Sequence, residues 1–457
     1  MHRSGFSILA AISLVCGSSA SAAAQSPRVY HVADLGSLGG DLVGVAINSK
    51  GDVTGTANLA DGTLHAFRWT QENGLEDLGA NGGRMSQGFA INDQGDVVGM
   101  YWDQDWRSRV FIASPGGAMR DLGPIYPQIF QPSTITNDGR LAGSTLSGRA
   151  FRTLSGGLLQ ELSPYLSFGA DMNSAGDVAG WGWHDATMIL PQTAFRYSDA
   201  HGYVDLGTLG GSASYGFSIN DDGVVVGTSE VIPGRVGRAF RAVPGAPMED
   251  LGALPGGFAG GISSAYAINQ RGEIVGQSDA SYGWTAFVYS DDEGMVDLRW
   301  RIPLVERLTR GLHWGRDINN SGQILVGYDR SSRYGTVRLT PVDTVPPPTA
   351  NPMVSPSVLT PPDGRMVSVS VDPHVTDAYD PEPTCRITSV TNSEYSSSEP
   401  DLDVQITNLL SVDVRATRLG YGTGRTYTIT LTCRNYFGQT STSSVAVTVP
   451  HDRSTVQ

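Results

Sequence analysis

The chain has 457 residues and carries 31 Lys and Arg against 45 Asp and Glu, which gives a formal net charge of −14. An acidic chain with few basic residues is a poor match for nucleic-acid phosphate, so we expect no nucleic-acid partner. The length exceeds what one ordinary core accommodates and indicates two or three domains, or a repeat.

The first 24 residues predict a signal peptide. A basic start at His2 and Arg3 precedes an apolar segment at 6–15 and small residues at 20–24, which is the pattern of a cleaved export signal. A lipoprotein signal at Cys16 is the alternative, although Val15 stands where a small residue is wanted. No later segment has the roughly 20 apolar residues needed to span a bilayer. We therefore expect a secreted or outer-surface protein with no membrane span.

A motif of the form Ala-Ile-Asn-x-x-Gly-x-Val-Val-Gly then recurs along most of the chain, beginning with the copies at 46–55 and 90–99. The Asn side chain is expected to fold onto the backbone of a tight turn, and the Gly three positions later to adopt a left-handed conformation. Short apolar runs on both sides indicate strands. The Asn position is filled by Asn48, Asn92, Thr136, Asn173, Asn220, Asn269 and Asn319.

Each copy is followed by a run such as His65-Ala66-Phe67-Arg68-Trp69, and six of the seven runs are followed by Asp-Leu-Gly or a near copy. The acid always lies nine positions after the residue that follows the aromatic, as Asp77 does after Arg68. This constant spacing predicts a second hairpin, and we interpret these pairs as cross-strand ion pairs. Each unit then supplies four strands in roughly 45 residues, the dimensions of a propeller blade.

The two ends of the repeat region complement each other. The last run, centred on Val337, has no Asp-Leu-Gly after it, whereas a surplus copy at 34–36 precedes the first repeat. Pairing the N-terminal strand with the last blade would leave no open sheet edge. We therefore predict an all-β fold with a seven-bladed β-propeller of four-stranded blades at 25–340, closed by the N-terminal strand. Arg338 and Asp34 should then be related as Arg68 and Asp77 are.

These motifs resemble those of secreted bacterial proteins with HAF repeats, named for a sequence such as His65-Ala66-Phe67. That family also carries Asp-Leu-Gly-x-Leu-Gly-Gly, which is present here at 34–40 and 205–211. The likeness covers about residues 29–340, and it is weakest in the third and fourth units, where Thr136 replaces Asn and Glu161 replaces Asp. The resemblance implies an extracellular repeat protein and implies no established activity.

The composition changes beyond the repeats. A proline-rich linker at 341–355 leads to alternating strands at 356–457, which resemble a bacterial immunoglobulin-like β-sandwich. Cys385 and Cys433 remain as a pair once the signal is removed, so we expect a disulfide between them in an oxidising compartment. A calcium site is an alternative use of acidic residues in this domain, namely Asp372, Asp377, Asp380 and Asp401.

Variation in connection length is confined to one face of the predicted propeller, and most tryptophans share those connections. Exposed aromatic rings with polar neighbours suit stacking on sugar rings or contact with a peptide. A plug that fills the central channel is the other interpretation of the same residues. The predicted ligand-binding residues are Trp102, Trp106, Trp181, Trp183, His184, Trp284, Trp300 and Trp314.

Two acids, Asp171 and Asp317, replace the Ala of the repeat motif on what should be inner strands. Carboxylates there could act in a secreted polysaccharide hydrolase or lyase, and they are the candidate catalytic residues. We expect instead a non-enzymatic binding or scaffold protein, monomeric and without a metal or cofactor, that presents an aromatic loop face to a glycan or protein. A purely structural matrix component is the third hypothesis.

Overall fold

The structure is a computed structural model that describes residues 28–123, 128–184, 191–257, 261–330, 333–342, 347–380, 382–394, 403–420, 423–435 and 438–451. The predicted signal peptide at 1–24 and the proposed calcium ligand Asp401 lie outside these residues. The prediction of an all-β protein is confirmed, since strands dominate the described chain. No helix in the described part of the chain is long and apolar enough to cross a membrane.

The repeats form four-stranded antiparallel sheets whose strands follow one another in chain order. Sheet one contains β2 (Gly39–Ile47), β3 (Val53–Leu59), β4 (Leu64–Thr70) and β5 (Gly74–Asp77). Sheet two contains β6 (Met85–Ile91), β7 (Val97–Trp102), β8 (Ser108–Ala113) and β9 (Arg120–Asp121). Sheet three contains β10 (Ile129–Ile135), β11 (Leu141–Thr145), β12 (Ala150–Thr153) and β13 (Leu159–Glu161). Sheet four contains β14 (Ser167–Met172), β15 (Val178–Gly182), β16 (Thr193–Ser198) and β17 (Gly202–Gly207).

Sheets five to seven continue the pattern. Sheet five contains β18 (Ser214–Ile219), β19 (Val225–Ile232), β20 (Arg235–Ala242) and β21 (Glu249–Asp250). Sheet six contains β22 (Ser263–Ile268), β23 (Ile274–Ala280), β24 (Gly283–Ser290) and β25 (Gly294–Asp297), and is followed by a 3-10 helix (Leu298–Arg301) and α1 (Leu304–Thr309). Sheet seven contains β26 (Gly311–Ile318), β27 (Ile324–Arg330), β28 (Arg333–Val342) and the N-terminal β1 (Val29–Asp34).

These sheets form a closed, β-propeller-like ring. The first strand of each sheet contacts the first strand of the next, and β26 contacts β2. Closure uses the predicted pairing, because β1 lies antiparallel to β28 with Asp34 opposite Val337. That register matches sheet one, where Asp77 lies opposite Phe67. The first strands therefore form the inner wall of the ring.

The turn between the first two strands of each sheet has the predicted chemistry. The Asn48 side-chain oxygen accepts the backbone N–H groups of Lys50 and Asp52 at 3.1 and 2.8 Å. Gly51 has a φ of 84°, a left-handed conformation that glycine adopts without steric cost. The other repeats use a glycine with positive φ at the same place: Gly95, Gly139, Gly176, Gly223, Gly272 and Gly322.

Aromatic rings from the third strands fill the core of the sheets. Phe111 is fully buried, and its ring lies against the second strand at Gly99. A Cβ on Gly99 would lie 2.0 Å from the carbonyl oxygen of Gln87 and 2.8 Å from that ring, so only glycine fits. The equivalent buried residues are Phe67, Phe151, Phe195, Phe240, Phe287 and Val337.

The predicted ion pair between Arg68 and Asp77 is wrong. Asp77 lies opposite Phe67, and Arg68 lies opposite Glu76, so the side chains of Arg68 and Asp77 point to opposite faces of the sheet. Arg68 instead bonds Glu76 at 2.9 Å and the carbonyl oxygens of Gly95 and Ala113 in sheet two at 2.9 and 2.7 Å. The arginine therefore links neighbouring sheets.

The repeat acid has a local role instead. The Asp77 carboxylate accepts the backbone N–H of Gly79 at 2.8 Å and contacts Nδ1 of His65 at 2.9 Å. Asp34 caps Gly36 in the same way at 2.9 Å and also receives the Arg310 guanidinium at 2.7 Å. These carboxylates close turns and bridge strands at the ends of their sheets.

The C-terminal region has sheets of its own. One contains β30 (Met353–Ser355), β31 (Met366–Asp372), β34 (Val404–Asn408) and β35 (Ser411–Arg415). A second contains β33 (Thr384–Asn392), β36 (Gly424–Arg434) and β37 (Thr440–Pro450), and a small pair contains β29 (Thr349–Ala350) and β32 (Val375–Thr376). A shared core of buried residues lies between the two larger sheets, and includes Val369, Val412, Tyr427, Ile429 and Val447.

The predicted disulfide between Cys385 and Cys433 is confirmed. The two residues are direct partners on the neighbouring strands β33 and β36, so the bridge lies within one sheet. Closing a loop with a sequence separation of 48 residues stabilises the domain by about 4 kcal/mol on the chain-entropy estimate. The domain contacts the ring where the Leu304 N–H donates to the Ala378 carbonyl oxygen at 3.0 Å.

Candidate functional site

The face that carries the Asn turns encloses a cavity of 510 Å³ lined by turn residues of all seven sheets. All six turn Asn side chains donate to the backbone carbonyl of the next turn. Asn48 donates to Asn92 at 2.9 Å, and Asn319 closes the circle by donating to Asn48 at 2.9 Å. The series is interrupted at Thr136, which has no amide to donate. The turn polar groups largely satisfy one another, so this face holds the ring together.

The other end of the ring carries an aromatic cluster on its inner wall. Trp181 stacks on Phe168 with ring centroids 5.5 Å apart, and it meets Tyr215 and Phe217 edge-on at 6.0 and 5.8 Å. Phe217 in turn lies 5.9 Å from Tyr266. These five rings belong to sheets four, five and six and are half-buried. We call them the aromatic wall.

A β-bulge in each first strand explains why two of these rings, Phe217 and Tyr266, face inward. The pairing of first and second strands skips one residue, three positions before the turn Asn, in every sheet of the ring. A bulge residue has no direct partner and re-aims its side chain. All of them are half-exposed. The bulge residues are Val45, Phe89, Ser133, Ala170, Phe217, Tyr266 and Arg316.

Sheet seven continues the wall with a second aromatic group. The Trp314 ring lies 5.3 Å from His313 and 6.0 Å from Tyr334. The guanidinium carbon of Arg316 lies 5.3 Å from the Trp314 ring centroid, within the range of a cation–π contact. Arg316 also interacts electrostatically with Tyr266, so it lies between the two aromatic groups.

Arg316 has no hydrogen-bond or ion-pair partner among the residues that the structure describes, and its Nε is buried. Burial lowers the pKa of Arg316 below its usual value. The arginines at the position after each core aromatic behave differently. Arg152, for example, donates to the Gly176 carbonyl oxygen and to Gln160 and Asp199. Arg316 thus presents unused donors beside the aromatic wall.

The two candidate catalytic acids occupy the inner wall, but their oxygens are engaged. Asp171 accepts the Ser218 hydroxyl at 2.9 Å and the N–H groups of Ile219 and Met172 at 3.2 and 2.8 Å. Asp317 accepts the N–H groups of Ile47 and Ile318, both at 2.8 Å. Each carboxyl therefore joins its own sheet to the next one.

Burial raises the pKa of both carboxyls, and that of Asp317 rises to about 7. The charge of Asp171 adds to the shift at Asp317, because like charges disfavour ionisation of both groups. The N–H donors oppose the shift without cancelling it. Asp317 is therefore partly protonated at neutral pH.

The predicted ligand residues do not form one site. Trp181 and Trp314 lie in the aromatic groups of the inner wall. Trp106 is 60% exposed on a turn of sheet two under the Arg84 guanidinium, and His184 lies against Tyr203. Trp102 and Trp183 lie at the ends of β7 and β15, and Trp284 is exposed on β24. The sequence prediction missed Phe168, Tyr215, Phe217 and Tyr266.

Trp300 belongs to a different cavity, of 700 Å³, where sheet six meets the C-terminal domain. Tyr282 and Tyr379 also line it. The Arg307 guanidinium lies 4.4 Å from the Trp300 ring centroid, and Arg299 lies 3.4 Å from that of Tyr282. Arginine therefore already covers both rings, which leaves them less available to a ligand.

The structure describes no group of three or more His, Cys, Asp or Glu side chains that could hold a metal ion within the ranges given above. Asp377, one of the proposed calcium ligands, instead caps a turn. Its carboxylate accepts the N–H groups of Tyr379 and Asp380 at 2.8 and 2.9 Å and the Asn435 side chain at 3.0 Å.

No family model matches the chain, and no curated protein sequence matches it. Among solved structures, the chain is similar to TolB from Acinetobacter baumannii at 11% identity and a TM-score of 0.36, over 53% of this chain and 62% of TolB. It is similar to a puromycin hydrolase variant in complex with PGG at 14% identity and a TM-score of 0.43, over 76% of this chain and 58% of that one. The chain spans about three fifths of each of these proteins.

A further similarity is to an AofleA variant from Arthrobotrys oligospora, at 10% identity and a TM-score of 0.27 over 68% of this chain and 86% of that one. Likenesses this loose say nothing about activity, so the function has to be argued from the residues of this chain.

Proposed function

We propose that this protein is an exported glycan-binding protein of the HAF-repeat class, built as a seven-bladed β-propeller with a C-terminal immunoglobulin-like domain. The aromatic wall is the binding site, and the C-terminal domain is a spacer or attachment module. The protein works without catalysis.

The observation that carries this proposal is the continuity of the wall. Trp181, Phe217 and Tyr266 contact one another across three sheets and remain half-exposed. Rings placed to fill a core would be buried, as Phe195 and Phe240 are. Flat, partly exposed rings offer the apolar surface on which the C–H face of a sugar stacks, and large side chains with two χ angles lose little entropy on binding.

A glycan array tests the proposal on the mature chain. We expect the wild-type chain to bind a glycan on the array. Trp181→Ala should lower the affinity for that glycan at least tenfold. The matched control is Trp106→Ala, which removes a tryptophan that is exposed on sheet two and should leave binding unchanged. Equal binding by wild type and Trp181→Ala would contradict the proposal. If the chain bound no glycan but bound a protein, the ligand of the aromatic wall would be a protein and not a glycan.

A hydrolase is the weaker alternative. The raised pKa of Asp317, about 7, suits a general acid, but both oxygens of that carboxyl accept backbone N–H groups. Protonating a leaving group would require the carboxyl to release them. Release of reducing ends from a polysaccharide, abolished by Asp317→Asn, would favour the hydrolase over the binding protein.

A further inference from the structure

Arg316 lies beside the aromatic wall, and the class of ligand that it selects rests on the proposed function of that wall. A guanidinium carries five N–H donors and stays charged at any physiological pH. Proteins pair such a group when they bury it, because an unpaired buried charge is costly. Arg316 lies on the inner wall with a buried Nε and no partner among the described residues. The N–H donors of Arg316 therefore have no acceptor among the described residues.

The surroundings of Arg316 define that acceptor. On sheet seven, the Trp314 ring centroid lies 5.3 Å from the guanidinium carbon of Arg316. On sheet six, Tyr266 interacts electrostatically with Arg316. Tyr266 belongs to the aromatic wall, and Trp314 belongs to the second aromatic group beside it; both groups suit sugar rings. A ligand that stacks on the rings and reaches the guanidinium needs a planar or compact anionic group attached directly to a sugar.

We infer that the wall binds an acidic polysaccharide, with the carboxylate of a uronic acid residue held by Arg316 and neighbouring sugar rings of the same chain placed against Tyr266, Phe217 and Trp181. A carboxylate matches the fork of a guanidinium through two parallel N–H···O bonds. A single guanidinium is matched by a monoanion, which favours a carboxylate over a phosphate dianion. An acidic peptide such as polyglutamate also carries carboxylates, but it has no ring to stack along three sheets.

Binding of uronate polymers and their neutral counterparts tests this inference. The probes are polygalacturonate, alginate and hyaluronan, each with a carboxyl-reduced form in which the acids are alcohols, measured by calorimetry on the mature chain. We expect at least one acidic polymer to bind, and its reduced form to bind at least tenfold more weakly. Arg316→Gln should lower affinity for the acidic polymer at least tenfold and change affinity for the reduced form less than twofold.

Three comparisons make the result specific. Arg316→Lys keeps the charge without the fork and should fall between wild type and Arg316→Gln. Arg365→Gln is the matched control, because Arg365 is 76% exposed in the C-terminal domain, and it should bind as wild type does. Arg316→Gln should also unfold within a few degrees of the wild-type temperature, because it loses the cation–π contact with Trp314 but no hydrogen bond or ion pair to a described residue, and it removes a partly buried charge.

The possible failures differ from one another. Equal binding of acidic and reduced polymers, unaffected by Arg316→Gln but lost in Trp181→Ala, would overturn the uronate inference and leave the proposed function standing. Binding of none of the probes and of no glycan on the array would overturn both. Binding of polyglutamate that is tighter than that of every uronate polymer and depends on Arg316 would replace the acidic glycan with an acidic peptide.

Discussion

Asp34 on β1 lies directly opposite Val337 on β28, so the first described strand of the chain completes the last sheet of the repeat region. The pairing leaves β28 with a neighbour on both sides and completes a fourth strand for the last sheet, so the N–H and C=O groups that β28 would otherwise expose are paired. Tyr30 fixes this closure, because it is 1% exposed and packs in one core with Leu298, Ile302 and Val337.

Tyr30→Ala should therefore destabilise the ring strongly. Removing a buried aromatic side chain leaves a cavity and costs about 3–5 kcal/mol. The measurement is the free energy of unfolding in urea, followed by tryptophan fluorescence. Phe130→Ala is the matched control, because Phe130 is 46% exposed, and it should cost less than about 1 kcal/mol. Equal losses in the two variants would show that β1 does not contribute to closure.

The second-strand glycine of sheet five, Gly227, is required by packing and not by its φ angle. A Cβ at Gly227 would lie 1.9 Å from the Tyr215 carbonyl oxygen and 2.8 Å from the Phe240 ring. Gly227→Ala should thus destabilise by about 3 kcal/mol or more, since neither the strand nor the core ring can yield cheaply.

Gly117→Ala is the matched control for that change. A Cβ there would meet nothing closer than the Ser114 carbonyl oxygen at 3.5 Å, and the lost flexibility of the unfolded chain gives a gain of up to about 1 kcal/mol. The measurement is the unfolding temperature of each variant relative to wild type, which should fall in Gly227→Ala and stay equal or rise slightly in Gly117→Ala. A fully tolerated Gly227→Ala would contradict the close packing of ring against strand.

Several features of the fold could be predicted because each depends on local chemistry. Asn48 and Gly51 specify a turn by themselves, and Asp34 and Val337 could be matched because each lacked a partner in its own repeat. The pairing of Arg68 with Asp77 was wrong because constant spacing does not say which residues are opposite. Only the register shows that Phe67 lies across from Asp77, which turns Arg68 to the other face.

The site was harder to predict than the fold. Tryptophan content pointed to connections between strands, whereas Phe217 and Tyr266 sit inside the repeat motif and looked like core residues. The bulge that turns them inward breaks the two-residue alternation from which burial is inferred. A signal was nevertheless present: the third position before the turn Asn changes among Val, Phe, Ser, Ala, Tyr and Arg, while the residue before it is Gly in five of the seven copies.

The inner-wall acid Asp317 predicts a pH dependence of stability. Its pKa rises to about 7 in the folded chain from an ordinary 3.8, so the folded state holds a proton that the unfolded state has released between these values. The contribution of this carboxyl to stability is therefore complete below about pH 4 and is lost as the pH rises through 7.

Asp317→Asn imitates the protonated form and should flatten that dependence. We compare the free energy of unfolding of the variant with that of wild type at each pH. The difference should favour the variant by about 1–2 kcal/mol more at pH 8 than at pH 5. This is less than the full pKa shift implies, because the side chain is partly open to water. Urea unfolding at the two pH values provides the comparison. A difference between variant and wild type that stays constant with pH would show that Asp317 is ionised throughout.

Thr136 is the gap in the circle of Asn side chains, and filling it should strengthen the ring. Asn220 donates to the Asn269 carbonyl oxygen at 3.3 Å, and its own carbonyl oxygen receives Asn173 at 3.0 Å. Thr136 keeps the turn bond, since its hydroxyl accepts the Arg140 N–H at 3.1 Å, but it offers nothing to the next sheet. Thr136→Asn restores an amide that reaches the Asn173 carbonyl, for a gain of about 0.5–1.5 kcal/mol.

The reverse change, Asn220→Thr, is the matched control for Thr136→Asn. It removes the donor to Asn269 while keeping a hydroxyl for the turn. The Asn269 carbonyl oxygen keeps the Gly272 N–H at 3.1 Å, so the loss of one hydrogen bond should cost about 0.5–1.5 kcal/mol. Both changes involve Asn173, Thr136→Asn at its carbonyl oxygen and Asn220→Thr at its side-chain amide, so the double variant measures the coupling between the two links of the circle. Thermal and urea unfolding measure all three. A neutral Thr136→Asn beside a destabilising Asn220→Thr would show that another bond replaces the missing amide at Thr136. That bond would be the one from Arg140 to the Ser174 carbonyl oxygen, at 2.7 Å. Arg140→Gln should then lower the free energy of unfolding, and adding Thr136→Asn should restore it.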